Sequence, residues 1–462
     1  MILEEKILFL PKVHGNKNLL LYFNKEVSKY CKTINTIPVR FVVSETTEKG
    51  YHCELGVLSE DIKIKNDIAG IFDFRKRKIE NQNKFNAVVL VPTGIGAKLG
   101  GHSGDSGAMV RLLASVCDIL ITHPNVVNAA DINEIPDNTL YVEGSVISRL
   151  LMGTVGLQKV RANRVLVIID EHQDKMFHEL AINSVSAARV SLGMNCAGIV
   201  KMKHRTIMHA FFAKSGRAVG RIEYFERLTK VLNTYKDEYD AVALTSLIEV
   251  PIHFHKDYFT EEMDVNPWGG VEAMLTHAVS LIYDVPSAHS PMMTSNEVLN
   301  LDVGIVDPRK AADAVSTTYL HCILKGLHRS PKIIDLNKDN INKETLCVED
   351  IACLVIPEGC LGLPTLAALE QGIHVIVVTE NANYMKNSLE DLPFRRGRFH
   401  VVNNYLEAVG VMVSIKAGIS LETVKRPIEL SKVDEQEETV DLLQKIKIFW
   451  NIRSQIEVIY KS

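Results

Sequence analysis

Residues 87–107 read AVVLVPTGIGAKLGGHSGDSG. The stretch begins with the apolar string Ala87 to Val91, continues through a loop rich in glycine, and leads into an amphipathic segment from Gly107 to Cys117. An apolar string, a loop and a segment with helical periodicity are typical of a βα unit whose strand is buried on both faces. This stretch therefore predicts an α/β fold.

Similar units recur along the chain. They predict a mostly parallel sheet with flanking helices, built from Rossmann-like units, because continuous apolar strands need crossover helices on both faces. The predicted strands are Ala87–Val91, Ile119–Thr122, Val165–Ile169, Ile199–Met202, Ala241–Thr245, Leu354–Pro357 and Val375–Val378. The predicted helices are Gly107–Cys117, Phe177–Leu192, Gly220–Leu232, Val271–Tyr283, Pro308–Leu327 and Thr365–Gln371.

The length of 462 residues predicts two or three packed domains. The charged stretch 75–84 closes a small amino-terminal unit and linker, 1–84. Residues 85–334 form the main α/β domain with the glycine-rich loop. A stretch rich in Lys and Asn opens the carboxyl-terminal α/β unit, 335–462, which we expect to complete the site and to carry a charged helix at 429–445.

Composition excludes several classes of protein. A net charge of −4 gives no basic face for nucleic acid. No apolar run approaches the roughly 18 residues that span a bilayer, and the start lacks the pattern of a signal peptide. The eight cysteines include no CxxC pair, so we expect reduced thiols, no metal site and a cytoplasmic location.

The glycine-rich loop predicts an anion site. Loops that join a strand to a helix lie where ligands bind in open parallel sheets, and the helix amino terminus attracts negative charge. The residues expected to contact the ligand are Thr93, Gly94, Gly96, Lys98, Gly101 and Ser103. The alternative is a set of tight turns that bind nothing. The spacing matches neither the P-loop nor the dinucleotide fingerprint, so the cofactor is unknown.

Polar residues near this loop are candidates for acid and base. Asp105 lies in the loop, with an N-cap of the following helix as its alternative. The segment Gly104–Gly107 resembles the nucleophile segment of chymotrypsin-like proteases, but a helix follows it, which argues against that function. His123, after the second strand, is a candidate for proton transfer. Asn125 and Asn128 would orient a substrate or simply close a turn.

Two later segments add candidates. Cys360 lies between a strand and a helix, where the helix amino terminus would lower its thiol pKa, and its alternative is a buried packing residue. Glu272 and His277 lie on one predicted helix, five residues apart, and His289 follows in the next segment. We assign His277 to catalysis and Glu272 and His289 to substrate binding.

These motifs together resemble a family of unknown function found mainly in cyanobacteria and plants. The similarity covers about residues 85–419 and includes the PTGIGA, GG and GD loop elements, the THPN turn and the helix with Glu and His. The resemblance implies that the matching site residues are Thr93, Gly94, Gly96, Asp105, His123, Asn125, Asn128, Glu272, His277 and His289. It implies a site without implying a reaction.

The turn around Cys360 also resembles, more remotely, the second-cysteine segment of aspartate and glutamate racemases. That family uses two thiols. Here the first cysteine lacks its motif, and Cys196 is only a loose substitute, which argues against racemization by two thiols.

The leading hypothesis is an enzyme that binds a small anionic, carboxylate-bearing metabolite and acts by proton transfer, as an isomerase, racemase or lyase, with Asp105, His123 and Cys360 as acid, base or nucleophile. One alternative is a transferase or ligase that uses a nucleotide or phosphorylated substrate. Another is a regulator that binds a metabolite without changing it. A homo-oligomer is left open.

Overall fold

The computed structural model describes residues 1–13, 18–59, 70–127, 135–260, 263, 265–315, 319–339, 342–431 and 433. The chain divides into two compact units. The first comprises residues 1–418 and holds all the sheets described below, and the second comprises residues 419–462. In the second unit, a short helix at Leu421–Val424 is described.

The strands and helices of the first unit alternate along much of its length. The described strands are β1 (Ile2–Pro11), β2 (Thr36–Thr46), β3 (Gly50–Ser59), β4 (Asn86–Val89), β5 (Ile119–Thr122), β6 (Thr139–Tyr141), β7 (Val155–Gln158), β8 (Arg164–Ile169), β9 (Asn195–Lys201), β10 (Ile207–Phe212), β11 (Ala218–Glu223), β12 (Ala241–Glu249), β13 (Ser287–Met292), β14 (Lys332–Asp335), β15 (Ile351–Pro357), β16 (Leu361–Gly362), β17 (His374–Val378) and β18 (Phe399–Val402). The described helices are α1 (Leu19–Ile34), α2 (Gly107–Ala114), α3 (Pro124–Val127), α4 (Gly144–Leu151), α5 (Lys175–Leu192), α6 (Phe225–Thr234), α7 (Ile252–Thr260), α8 (Gly269–Tyr283), α9 (Asn296–Leu299), α10 (Ala311–Val315), α11 (Tyr319–His328), α12 (Leu363–Gln371) and α13 (Tyr405–Lys416).

A parallel sheet with the strand order β18-β17-β15-β4-β5-β6 carries the glycine-rich loop. The chain leaves its centre in two directions, from β4 to β6 and, much later, from β15 to β18. The switch point between β4 and β15 is where open parallel sheets bind their ligands, beyond the carboxyl ends of the strands. The predicted α/β fold with a parallel sheet and flanking helices is thus confirmed.

Helices cover this sheet in two pairs. Helix α2 packs with α13, and α4 packs with α12. Because right-handed crossovers run in opposite directions from the centre, α2 and α12 lie on opposite faces. Every residue of β4 and β15 is buried between these layers, which explains why both strands are uninterrupted apolar strings.

A larger, mixed sheet has the order β16-β2-β3-β1-β11-β10-β12-β8-β9, with β13 also pairing with β12. Strands β8, β9, β12 and β13 are parallel, whereas β1, β2, β3, β10, β11 and β16 form an antiparallel half. The sequence did not predict this half. Residues 220–232 were expected to be helical throughout, but 218–223 form β11, because pairing with both β1 and β10 outweighs local periodicity.

The three segments predicted as domains share these sheets. Strands of residues 1–84 pair with strands of 85–334 in the larger sheet, and β15 pairs with β4 across the second boundary. Whether each segment folds as a separate domain stays a prediction. Most of the charged helix expected at 429–445 lies outside the described residues.

A buried ion network joins three strands of the antiparallel half. The Arg217 side chain, just before β11, contacts Glu5 of β1 at 2.7 Å and also Glu54 of β3. All three side chains are nearly inaccessible to solvent. Burial raises the pKa values of both carboxyl groups, with Arg40 acting in the opposite direction. The Arg217 guanidinium therefore compensates the negative charge of two carboxylates that burial has desolvated.

The substitution Arg217→Met should lower the free energy of unfolding by about 3 to 5 kcal/mol, because removing one partner of a buried ion pair leaves an uncompensated charge. The matched control is Arg221→Met. Its partly exposed side chain pairs with Glu4 and Glu223, and its loss should cost less than about 1 kcal/mol. Urea denaturation of both variants measures the difference, and equal losses would contradict this account of the network.

Candidate functional site

A cavity of about 280 Å³ opens beyond the carboxyl ends of β4, β5 and β6 and extends to the larger sheet. Segments that follow β4, β5, β6 and β15 line one side. Strands β2 and β13 and helix α8 line the other. The cavity therefore occupies the crevice that the switch point between β4 and β15 creates.

The cavity brings together about half of the residues predicted from the sequence. The predicted residues that line it are Thr93, Ser103, His123, Asn125, Glu272, His277 and His289. The predicted residues that are described but are not part of its lining are Gly94, Gly96, Lys98, Gly101, Asp105 and Cys360. Asn128 lies outside the described residues.

The glycine-rich loop uses its backbone for packing against other segments. Gly96 has a φ of +67°, and a Cβ there would lie 2.5 Å from the Tyr384 ring. The N–H groups of Lys98, Leu99 and Gly100 donate to Ala382 O, Asn381 Oδ1 and Asp105 Oδ1. These donors are therefore engaged within the protein, and the tight-turn alternative accounts for this part of the loop.

Asp105 stabilises the loop from inside. Its Oδ1 accepts the Gly100 N–H at 2.6 Å and the Ser106 hydroxyl at 3.2 Å. Burial raises the pKa of Asp105 to about 7, against the effect of these hydrogen bonds. The alternative role of Asp105 as the N-cap is wrong, because Ser106 occupies that position and the helix has no side-chain cap.

His123 is buried beside the first residue of the loop. Its Nε2 accepts the Val91 N–H at 3.3 Å, so the neutral ring carries its proton on Nδ1. Burial lowers its pKa to about 4. The expected titration near neutral pH is therefore wrong, because the surroundings exclude the water that would stabilise an imidazolium.

Asn125 presents a donor to the cavity. Its Nδ2 is buried and has no hydrogen-bond partner within the described residues. Leaving such a donor unpaired costs about 1 to 3 kcal/mol. A ligand that accepts a hydrogen bond would remove that cost.

Cys360 has a different environment from the one expected. Only the two residues of β16 separate it from α12, and its backbone oxygen accepts the hydroxyl of Thr365, in the first turn of that helix, at 2.7 Å. Burial raises its pKa well above the ordinary value. The expected thiolate is wrong, and the thiol takes the position of the buried packing residue that was its alternative.

His277 and Glu143 form the first of two carboxylate–imidazole pairs at the cavity. The His277 Nδ1 lies 2.5 Å from Glu143 Oε1. The other carboxylate oxygen accepts the Ser145 N–H at 2.9 Å, which caps α4. Burial opposes ionisation of Glu143, but His277 and Ser145 outweigh it and lower its pKa. The side chain of His277 is 17% exposed and that of Glu143 only 3%, so the imidazole faces the cavity and the carboxylate supports it.

Glu272 and His289 form the second pair. Glu272 Oε1 lies 2.8 Å from His289 Nδ1, and His289 Nε2 lies 2.7 Å from Ser246 Oγ. Here the carboxylate is 20% exposed and the imidazole fully buried. The roles are therefore reversed relative to the first pair, with the carboxylate facing the cavity and the imidazole holding it in place.

Helix α8 carries both Glu272 and His277. Five residues turn a helix by about 140°, so Glu272 and His277 project from different sides. Glu272 contacts His289 in the larger sheet, and His277 contacts Glu143, which follows β6. Both still line the cavity, because α8 packs between the strands of the larger sheet and α4.

Arg40 adds a positive charge to the lining. Its guanidinium donates to Gly270 O at 3.3 Å and acts electrostatically on the buried carboxyl groups of Glu5 and Glu54, although among the described residues it forms no salt bridge with either of them. Arg217 also lines the cavity, but Glu5 and Glu54 neutralise it. Arg40 is therefore the better candidate for binding an anion.

A second polar cluster surrounds Asp313. Burial raises the pKa of Asp313 to about 7, while its hydrogen bonds with Tyr258 and Ser103 act against this. The Tyr258 hydroxyl donates to its carboxylate at 2.9 Å, and the Tyr319 hydroxyl donates to its backbone oxygen. All four residues line the cavity.

Sequence reasoning missed several lining residues: Arg40, Glu143, Arg217, Tyr258, Asp313 and Tyr319. Only Glu143 left a usable signal. It lies between β6 and α4 and caps that helix, but β6 has three residues and was too short to predict. The others lie on segments brought to the cavity by tertiary contacts.

The described residues offer neither a metal-binding cluster nor a membrane-spanning helix. No group of three or more His, Cys, Asp or Glu side chains is arranged to hold a metal ion. None of the described helices combines the length and the hydropathy that crossing a bilayer requires.

The pH dependence of stability should report the buried His123. The folded protein keeps this ring neutral down to about pH 4, whereas the unfolded chain protonates it near pH 6.5. The unfolded state binds more protons between these values, so the His123 contribution to the free energy of unfolding rises with pH, by at most about 1.4 kcal/mol per pH unit.

The variant His123→Gln should remove that contribution while keeping a hydrogen-bond acceptor for Val91. Comparing the two proteins by urea unfolding separates this effect from that of Asp105, whose raised pKa acts in the opposite sense. Above about pH 7 both should show the same slope. Equal slopes between about pH 4 and 6.5 would mean that His123 is not desolvated as described.

Comparisons with known proteins identify the relatives of the chain. Residues 86–425 match the family described as a protein of unknown function, DUF3326. An uncharacterized lipoprotein of Synechococcus sp. is 31% identical over 340 residues, which cover 72% of this chain and 91% of that protein. No solved structure matches. The extent of these matches shows that the chain belongs to the DUF3326 family of proteins of unknown function.

Proposed function

We propose that the protein is an enzyme that binds a small carboxylate-bearing metabolite in the cavity and transfers a proton to or from it. One observation carries this proposal. His277 and Glu272 both face the cavity from α8, and each is supported by a buried partner of the complementary type. A proton-transfer enzyme needs two such titratable groups within reach of one ligand.

The first pair would supply the base or the acid. Glu143 holds the Nδ1 side of His277, which leaves Nε2 available to a substrate. The charged Glu143 also stabilises the imidazolium that forms when Nε2 takes a proton. Glu143 is thus a positioning residue, and His277 is the catalytic residue.

The second pair would supply the complementary group. His289 fixes the orientation of Glu272, and Ser246 in turn fixes His289. Glu272 and His277 are separated by about 7.5 Å along the helix axis. Because the two side chains also leave the helix in different directions, a substrate would have to extend along the cavity to meet both groups. One acid–base group at each end of the reacting part suits an isomerase, racemase or lyase.

The substrate carboxylate would bind Arg40 and Asn125. Arg40 supplies positive charge, and Asn125 Nδ2 supplies a donor that has no hydrogen-bond partner among the residues the structure describes. Thr93 and Ser103 are the loop residues that can add hydroxyl contacts, since both line the cavity.

The proposal changes the roles expected for three residues. Asp105 and Cys360 are not part of the cavity lining, and His123 stays neutral. A racemization by two thiols has no support, because burial raises the pKa values of both Cys360 and Cys196 and neither lines the cavity.

The alternative of nucleotide or phosphate chemistry has weaker support. It requires loop N–H groups or Lys98 at the ligand. Three successive N–H donors of the loop are engaged, and the exposed Lys98 is not part of the lining. A regulator without catalysis remains an alternative, since it needs only the cavity. The expected cytoplasmic location stays a prediction.

Hydrogen exchange at carbon tests the proposal. The protein is incubated in D₂O with a panel of α-amino, α-hydroxy and β-oxo acids, and proton NMR follows loss of the signal at the carbon beside the carboxyl or oxo group. We expect exchange of at least one acid, and we expect His277→Gln to slow it by about 100-fold or more, because general acid–base groups contribute about that much.

The matched control is His321→Gln, on α11, whose imidazole contacts Ser191 away from the cavity. This variant should catalyse hydrogen exchange of the acid at the wild-type rate. Tight binding of an acid without any exchange would favour a regulator. A nucleotide that stays bound through gel filtration would favour the transferase alternative.

A further inference from the structure

One wall of the cavity is apolar and is built mainly by one segment. After β13, residues 293–307 contain only the short helix α9. Four apolar residues of this segment, Val298, Leu299, Leu301 and Val303, line the cavity, whereas Ile305 near its end is fully exposed. The residues between and beside them, Asn296, Glu297, Asn300 and Asp302, are exposed. Residues 296–303 therefore have an apolar side toward the cavity and a polar side toward solvent, and we call them the strap.

Neighbouring elements extend this wall. Met292 and Met293, at the end of β13, also line the cavity. So does Ile323 of α11, which packs against β13. Methionine side chains adapt to the shape of what they contact, and branched residues provide apolar area. A ligand part that contacts this wall must be apolar, because a polar group there would lose its water without gaining a partner.

The polar groups adjoin this wall at His289, which precedes Met292 on the same strand. Glu272 bonds to His289 from α8, and Arg40 bonds to the first turn of α8. The cavity therefore offers charged and hydrogen-bonding groups along α8 and an apolar surface beyond β13.

We infer that the carboxylate substrate carries an aliphatic chain, which lies against the strap while its carboxylate binds near Arg40 and Asn125. This inference rests on the proposed function and adds the substrate class to it. A small acid without a chain would leave the strap wall exposed to water. A sugar acid or a dicarboxylate would place hydroxyl or carboxylate groups against it without partners.

A homologous series measures the contribution of the chain. Linear saturated acids from acetate to octanoate, and the matching primary alcohols, are titrated into the full-length protein by calorimetry. Each added methylene should lower the Kd of the acids about fourfold until the apolar wall is covered, since burying a CH₂ contributes about 0.8 kcal/mol. The alcohols should show a similar dependence on chain length but weaker binding throughout.

Variants separate the two parts of the site. Leu301→Asn should flatten the dependence on chain length, and the nearly isosteric Val303→Thr should do the same to a smaller degree if the first variant folds poorly. Arg40→Gln should raise the Kd of every acid by a similar factor and leave the chain-length dependence intact. The matched control is Leu406→Asn, an exposed leucine on α13, which should change neither.

The outcomes distinguish this inference from the proposed function. Acids that bind with no dependence on chain length would overturn the inference and leave the proposed function standing. Alcohols that bind as tightly as acids would support the apolar wall and overturn carboxylate recognition. Absence of binding across both series would overturn both.

Discussion

The pairing of β4 with β15 is the constraint on which the rest of the structure depends. Ala87, Val88 and Val89 align with Cys353, Leu354 and Val355, although more than 260 residues separate them in the chain. Because the two strands are parallel and central, their following loops diverge and leave a crevice at their carboxyl ends. Segments after β4, β5, β6 and β15 all line the cavity in this crevice. Without this one pairing, the amino-terminal and carboxyl-terminal βα units would form no common edge.

Helix α8 turns that crevice into a site. It packs against strands of the larger sheet and against α4 beside the parallel sheet, and it carries a side chain that contacts an oppositely charged or chargeable partner toward each. Buried charge is tolerated there because each ionisable group has a complementary partner. The same rule accounts for the Arg217 network in the antiparallel half. The carboxylate–imidazole pairs therefore position α8 as well as offering acid–base chemistry.

Sequence patterns predicted the elements of the parallel sheets well and those of the antiparallel half poorly. Strand β5 matches its prediction residue for residue, and β15 and β17 differ only at their beginnings, since strands buried on both faces are continuous apolar strings. The predicted helix 220–232 overlaps strand β11, because the partners β1 and β10 that make this segment a strand are distant in sequence. The site was predicted in part. Thr93, His123 and Asn125 follow predicted strands, and strand order brings them to one edge, but Arg40 and Asp313 lie on segments that no local pattern connects to that edge.

The sequence by itself determined that this is an α/β protein with polar residues at the ends of buried strands, because hydrophobic periodicity and strand–loop–helix order are local properties. Only the tertiary structure decided what those residues can do. Burial raised the pKa values of Asp105 and Cys360 and lowered that of His123. Contacts with Glu143 and His289 hold His277 and Glu272 in place at the cavity. The physical reason is that desolvation and charge pairing depend on neighbours in space, which are distant along the chain.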